Sequence, residues 1–437
     1  MKTAQTSDSL QKTLIIFAYA KAGLGHLRVT NALHKGLKNN SEAILLRSMD
    51  TATTYTHRFS STHILARRIL EWSQQGAPEA FFAKLYMFIL DRQLNTTYQQ
   101  ISSVIDQRLE LPKTVLIVAT HFGLAHQISK IKTRLEEEHK VKIKLIVQIT
   151  DDSPQILWYV PNADLTFAPS EFTRKTLIAY AKKYNLPKIS IKVAPYPISP
   201  DLSKKITKTQ LTNRIKQVKY SDKTPLNVMI PISGAAVGMM FYYKLIQQIT
   251  KMSSKNIVFH VVTKKAPFTI DFINKIKMFE NVKIYAAEHD RDVVELYEQI
   301  YLHTNIAIEI TKPSEQAFKA LTGTDTVGGA ILLFASPVGR QEYDNLDFLR
   351  RHKLIPDIVT RGAILNRSEQ KTNNYCFRGI ELPIGSLKAS KLFMQLLIHN
   401  TFQDMINLNA QCKEDSEEIS NQGVKIFWNS VQELLRK

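Results

Sequence analysis

The sequence predicts an α/β protein made of two Rossmann-like halves. Three observations carry this reading. Strand and helix patterns alternate on both sides of the midpoint, the first strand of each half runs into a glycine-containing turn, and a lysine- and proline-rich stretch separates the two series. At 437 residues the chain also exceeds the ~250–300 residues at which one core stops growing. The expected division is a first domain over 1–202, a linker over 203–224, a second domain over 225–400, and terminal helices over 401–437.

In the first half, Thr13–Ala20 is a β-rich apolar run ended by Lys-Ala-Gly-Leu-Gly-His, after which Leu27, Ala32, Leu33 and Leu37 recur at helical spacing. Further strands fit Ala43–Arg47, Val115–Ala119 and Val141–Thr150, and helices fit Gly123–Lys140 and Glu171–Tyr184. Between the second and third strands, His57–Arg108 reads as helical and interleaves basic with aromatic residues, among them Arg67, Arg68, Trp72, Phe81, Phe82, Lys84, Phe88 and Arg92. Two readings fit it: a helix lying among lipid headgroups, or a helical hairpin with its aromatics in the core and its arginines solvated.

Lys192–Thr224 holds Pro195, Pro197 and Pro200 and many lysines, and reads as the linker. The second series runs through strand Asn227–Pro231, glycine loop Ser233–Gly238, helix Met239–Lys251, and strands Ile257–Val262 and Val282–Ala286. Helix Arg291–His303, strand Asn305–Ile310, helix Ser314–Leu321 and strand Ala330–Phe334 complete it.

Composition narrows the function. Hydrophobic residues at 44% and charged residues at 22% are those of a packed globular protein. The two cysteines, Cys376 and Cys412, have no Cys/His cluster around them, so neither a disulfide framework nor a zinc site is expected, in keeping with a reducing cytoplasm. No apolar run reaches the ~18 residues of a membrane span. Leu14–Ala20 is too short for a signal peptide and lacks a basic segment before it, so the chain is expected to be unprocessed. The net charge of +19 points to anionic partners. The lysines are dispersed and no RNA-recognition, KH or zinc-finger pattern occurs, which puts nucleic acid behind acidic lipid and phosphorylated substrates.

Ligands of open parallel sheets bind at the carboxyl ends of the strands. Gly23 and Gly25 follow the first strand, and Gly234 and Gly238 follow the first strand of the second half, where a diphosphate would find backbone N–H groups. His26 opens a helix, whose positive dipole end disfavours the imidazolium; it reads either as a proton acceptor or as a ring bonding backbone. His121, after the third strand, invites the same pair of readings. Asp151 and Asp152 close the fourth strand, as cleft carboxylates or as turn and cap residues. Glu315 suits either a ribose or a helix start, and Gln341, Glu342 and Asn345 suit either sugar hydroxyls or a solvated loop.

These segments resemble a known family. AGLGH at Ala22–His26, QITDD at Gln148–Asp152, ADLTFAPSEFTRKTL at Ala163–Leu177 and VAPYPISP at Val193–Pro200 resemble the first half of the inverting GT-B transferases that include monogalactosyldiacylglycerol synthase and the peptidoglycan lipid-intermediate N-acetylglucosaminyltransferase. EITKPSEQAFKAL at Glu309–Leu321 and VGRQEYDN at Val338–Asn345 resemble the family's donor segments. The chain departs from the pattern in a glycine-poorer loop at Ser233–Gly238, no glycine in Lys312–Glu315, and Arg340 where a smaller residue is common.

The resemblance implies a GT-B fold, with two parallel sheets facing across a cleft. It implies inverting, metal-independent sugar transfer without a cofactor, from a nucleotide diphosphate sugar, UDP-sugar first, to a lipid or lipid-linked acceptor. His26 would be the base, or a partner of the true base, and Asp151 would help orient it, with Gly23, Gly25 and His121 on the acceptor side. Gly234 and Gly238 would meet the diphosphate, Glu315 the ribose, and Gln341, Glu342 and Asn345 the sugar. The chain would work in the cytoplasm, peripheral at the inner face of an anionic membrane. Asp415–Leu435, with Trp428, is the candidate for packing back on the first domain. The alternatives are a UDP-sugar epimerase of the same plan and a non-catalytic binder of nucleotide sugars or nucleic acid.

Overall fold

The computed structural model describes residues 13–20, 24–37, 43–47, 76–314, 328–334, 339–366, 377–411 and 417–436. Gly23, Glu315, Arg67, Arg68, Trp72, the helix expected at Ser314–Leu321 and both cysteines lie outside them. Contacts divide the chain into two compact units, Met1–Ser199 with Gln422–Lys437, and Pro200–Asn421.

The first unit has six parallel strands: β1 (Thr13–Tyr19), β2 (Ala43–Arg47), β3 (Thr114–Ala119), β4 (Lys142–Gln148), β5 (Leu165–Ala168) and β6 (Ile191–Val193), in the order β2-β1-β3-β4-β5-β6. β1 and β3 pair from Thr13↔Thr114 to Ala18↔Ala119. Leu14 to Ala18 and Val115 to Ala119 are all buried, as strands covered on both faces require. Helices α1 (Gly25–Lys35), α2 (Gly76–Asp91), α3 (Leu94–Asp106), α4 (Phe122–His139) and α5 (Glu171–Lys183) belong to this unit. α2 and α3 follow one another across Arg92-Gln93, and both contact α4. The described part of this stretch is helical, as expected, but its aromatics do not all enter the core: Phe81 is 65% exposed and Phe88 59%.

The second unit carries α6 (Lys208–Val218), β7 (Leu226–Pro231), α7 (Met239–Met252), β8 (Ile257–Lys264), α8 (Ile270–Ile276), β9 (Val282–Ala287), α9 (Asp290–His303), β10 (Ile308–Thr311), β11 (Ala330–Leu333), α10 (Arg340–Arg351), α11 (Ile358–Asn366), β12 (Gly379–Glu381), α12 (Ser386–Ile398) and α13 (Thr401–Gln411). Its six parallel strands run β12-β11-β10-β7-β8-β9, the order of dinucleotide-binding sheets counted from β7. Tyr242, Leu245, Ile246 and Ile249 of α7 share one core with Leu392, Phe393, Leu396 and Leu397 of α12.

Three boundaries differ from the sequence reading. The stretch 203–224, expected to be a linker, contains α6, started by a capping box in which Thr207 and Gln210 each satisfy the other's backbone N–H. Its Arg214 is buried, donating to the Gly328 carbonyl at 2.8 Å and to Asn305 Oδ1 at 3.3 Å, so its basic composition concealed a packed face. β5, β6 and β12, of three or four residues each, are too short to show a period of two. The terminal helices divide: α13 sets Phe402, Met405 and Ile406 into the second core, and α14 (Gly423–Leu435) belongs to the first unit. There Trp428 Nε1 donates to the Leu33 carbonyl at 2.9 Å, and Phe427 lies 4.7 Å from Phe167, ring centre to ring centre.

Candidate functional site

In each sheet the strand order reverses once, between β1 and β3 in the first unit and between β7 and β10 in the second. At such a switch point the connections leave to opposite faces and open a crevice at the carboxyl ends of the strands. The candidate residues gather at these two points.

At the first, Gly25 opens α1 and His26 follows it, half-buried. Its Nδ1 lies 2.6 Å from the Thr120 carbonyl oxygen, just past β3, and 3.2 Å from Thr150 Oγ1, just past β4. A carbonyl only accepts, so Nδ1 carries the proton and, in the neutral ring, Nε2 is the basic nitrogen. Thr30, one turn along α1, donates to the His26 carbonyl at 2.8 Å, and its hydroxyl meets that of Thr120 at 2.8 Å. Two segments 94 and 124 residues further along the chain thus fix one imidazole.

His121, buried at the start of α4, meets the His26 ring edge to face at 4.9 Å and stacks on Phe122 at 4.6 Å. Trp158 lies 6.5 Å from His26 and 5.4 Å from Phe122, and Tyr86 of α2 packs edge-on against Phe122 at 5.6 Å. A Cβ at Gly123 would come 2.8 Å from the Tyr86 hydroxyl and 3.0 Å from His121 Cε1, so a side chain there would displace these rings. The imidazole pair is therefore bordered by the rings of Phe122 and Trp158.

The two aspartates separate. Asp152 is fully buried and accepts from the hydroxyls of Ser170 and, at 2.8 Å, Thr173, so it fastens β4 to the start of α5. Asp151 is half-buried at the end of the same strand. Thr120 and Thr150 both hold His26 at Nδ1. Neither threonine carries a signal in the sequence, because a carbonyl has no residue identity and a hydroxyl few constraints.

At the second switch point, the loop after β7 turns through Ala236 (φ 54°) and Gly238 (φ 83°), which precedes α7. The left-handed demand falls on these two, not on Gly234. A Cβ on Gly238 would lie 2.9 Å from Phe334 Cε1, at the end of β11. Glu342 and Asn345 are buried in the first turns of α10, and Gln341 is half-buried beside them. Both buried side chains face the end of β10: Glu342 pairs with Lys312, and Asn345 donates to the Pro313 carbonyl at 3.3 Å. This corrects the alternative of a solvated loop, since the segment is a helix with its acceptors turned inward. Lys312 and Tyr242 carry no signal that marks them as site residues in the sequence.

No protein-family model matches this sequence, and no curated protein matches it. Solved structures resemble it in fold. UDP-GlcNAc 2-epimerase of Neisseria meningitidis, bound to UDP-GlcNAc, aligns with a TM-score of 0.50 at 12% identity over 96% of this chain and 99% of that one. With the two six-stranded parallel sheets and their Rossmann-type orders, this decides the architecture. The chain has the GT-B fold. S. aureus MnaA with UDP (TM-score 0.48, 12% identity, 97% of each chain) and MurG of Acinetobacter baumannii (0.48, 10%, 96% and 99%) are also similar. Within the GT-B fold of this chain, both candidate loci stand at the switch point of their own sheet. No group of three or more metal-ligating side chains occurs among the described residues, and no described helix is long and apolar enough to cross a membrane.

Proposed function

We propose that this protein is a nucleotide-sugar glycosyltransferase that moves a sugar from a nucleotide diphosphate sugar, UDP-sugar first, to a lipid or lipid-linked acceptor. The observation that carries the reading is the bond from His26 Nδ1 to the Thr120 carbonyl, which leaves Nε2 as the proton-accepting nitrogen. In this reading His26 takes the proton from the acceptor hydroxyl as its oxygen attacks the anomeric carbon. The nucleotide diphosphate departs with the bonding electrons. The resting tautomer already carries its proton on Nδ1, so no proton has to be rearranged first. The second unit supplies the donor site, with the Gly238 turn and the start of α7 against the diphosphate and the α10 residues Gln341 and Asn345 toward the sugar.

A lipid acceptor and a peripheral membrane location draw support from α2, where Phe81, Leu85, Phe88 and Ile89 lie on one face and are 45–65% exposed. Lys84 is exposed on the same helix, and Arg92 beyond its end sets its guanidinium 5.2 Å from the Phe88 ring centre, a pairing suited to anionic headgroups.

Incubation with UDP-glucose, UDP-galactose or UDP-GlcNAc, with and without diacylglycerol in anionic vesicles, tests the reading. A glycolipid formed only when both substrates are present is the expected result. Conversion of the UDP-sugar to its epimer with no acceptor present would replace transfer by epimerisation.

A further inference from the structure

The second switch point holds a cation that the glycine turn alone does not require. Lys312 directly follows β10, and continuing the β10–β7 register brings it level with Ile232, where the chain leaves the sheet for the Ser233–Gly238 turn. Its ammonium pairs with Glu342, and the two side chains are only 8% and 10% exposed. An ion pair withdrawn from water to this degree is a poor source of stability, because desolvation offsets its attraction. The position is also unfavourable for a lysine with a purely structural role. α7 and α10 both begin here, behind Gly238 and Gly339, and helix N-termini repel cations.

A second, independent feature marks the same place. Tyr242, in the first turn of α7, is 1% exposed, and its hydroxyl has no hydrogen-bond partner among the described residues. Its ring packs beside Gly238 and lies 5.6 Å from Phe334, whose N–H donates to the carbonyl of Thr311, the neighbour of Lys312. Burial first, then the charges of Glu342 and Glu309, push this phenol well above its ordinary range, so it stays a donor. Two helix N-termini, an ammonium and an unmatched phenolic donor thus all belong to the segments at the carboxyl ends of β7, β10 and β11. A bound anion would satisfy all four.

We propose that Lys312, held by Glu342, is a phosphate-binding residue for the nucleoside diphosphate, released from the carboxylate to the phosphate when the ligand arrives, with Tyr242 as an accompanying donor. The inference rests on the reading of this unit as the nucleotide-binding one. It gives a function to the lysine that occupies a segment without glycine.

Calorimetric titration of the full chain with UDP tests it, using wild type, Lys312→Met, Lys312→Arg and Glu342→Gln, with thermal unfolding of each unliganded variant as a check on folding. Lys312→Met is expected to weaken UDP about tenfold or more, the loss of one charge-assisted contact, and to flatten the salt dependence of binding. Lys312→Arg retains most of the affinity, and Glu342→Gln, which frees the ammonium, tightens UDP several-fold. A purely structural pair would fail alike whichever partner is replaced, so equal weakening in Lys312→Met and Glu342→Gln overturns the proposal. Wild type that binds UDP, with Lys312→Met unchanged, overturns this inference alone. Wild type that binds no UDP removes the nucleotide-binding reading and this one with it.

Discussion

His26 Nδ1 and the carbonyl oxygen of Thr120 stand 2.6 Å apart, and this one bond sets which nitrogen of the ring can accept a proton. It also ties the first turn of α1 to the end of β3, across the switch point of the sheet. Because the acceptor is backbone, side-chain substitution at Thr120 leaves it in place, whereas the second contact, from Thr150 Oγ1 at 3.2 Å, can be removed.

Thr150→Val is therefore expected to lower turnover about three- to tenfold, the worth of one neutral hydrogen bond, and to move the acid limb of the pH–rate profile, with Thr150→Ser restoring both. His26→Ala is expected to abolish transfer and leave UDP affinity unchanged. Nitrogen NMR of the histidine rings reports the tautomer directly, and a proton found on Nε2 of neutral His26 would remove the ring from the role given to it.

Gly238 is expected to tolerate no side chain. Gly238→Ala puts a Cβ at φ 83° and 2.9 Å from Phe334 Cε1, which costs about 1–3 kcal/mol and distorts the turn. Chemical denaturation together with UDP titration checks this, and a variant as stable and as competent as wild type would show that the turn is relaxed.

The C-terminal helix α14 is expected to be an integral part of the first unit. In Gly423→Ala the new methyl would lie 2.5 Å from the Pro195 carbonyl oxygen and 2.6 Å from that of Tyr196, both backbone atoms. Trp428→Ala removes a buried ring and the bond to Leu33, at about 3–5 kcal/mol. Both should lower the melting temperature, and a chain ending at Asn421 should lose the cooperative unfolding of the first unit.

Stability is expected to fall on acidification. Burial holds His126 down to about 4, against an opposing bond to the Leu157 carbonyl and with help from Lys130. His260 is also held at about 4, by burial and then by Lys283. Unfolded, both rings titrate near 6.5, so the unfolded chain binds more protons between these values. Their contribution is complete above about pH 6.5 and is lost as pH falls toward 4, on the order of 3 kcal/mol for His126. Urea unfolding at about pH 7 and about pH 5 measures the loss, and His126→Gln should reduce the difference between the two.

Vesicle binding is expected to depend on the outer face of α2. Phe81→Ser with Phe88→Ser should reduce sedimentation with anionic vesicles at least about tenfold, since each exposed ring gains roughly 1.5–3 kcal/mol on leaving water. Unchanged sedimentation would assign that face to something other than a bilayer.

Much of the fold was legible because long parallel strands are apolar throughout. β1, β3, β4 and β7 were readable from runs such as Leu-Ile-Ile-Phe-Ala and Val-Leu-Ile-Val-Ala, and the helices after them from their spacing. The short strands β5, β6 and β12 escaped, and α6 was hidden because its lysines and the prolines before it describe its exposed side and approaches, not the buried Arg214.

The sequence by itself determined the alternation of strands and helices, and so the two Rossmann-like sheets and the strand ends at which His26, His121, Gly238 and Glu342 stand. Only the tertiary structure decided what those residues touch. Tautomer, ion pairing and the difference between Asp151 and Asp152 depend on contacts between segments tens to hundreds of residues apart. Such contacts arise when strands pair side by side, and local propensity carries no record of which loop will lie beside which.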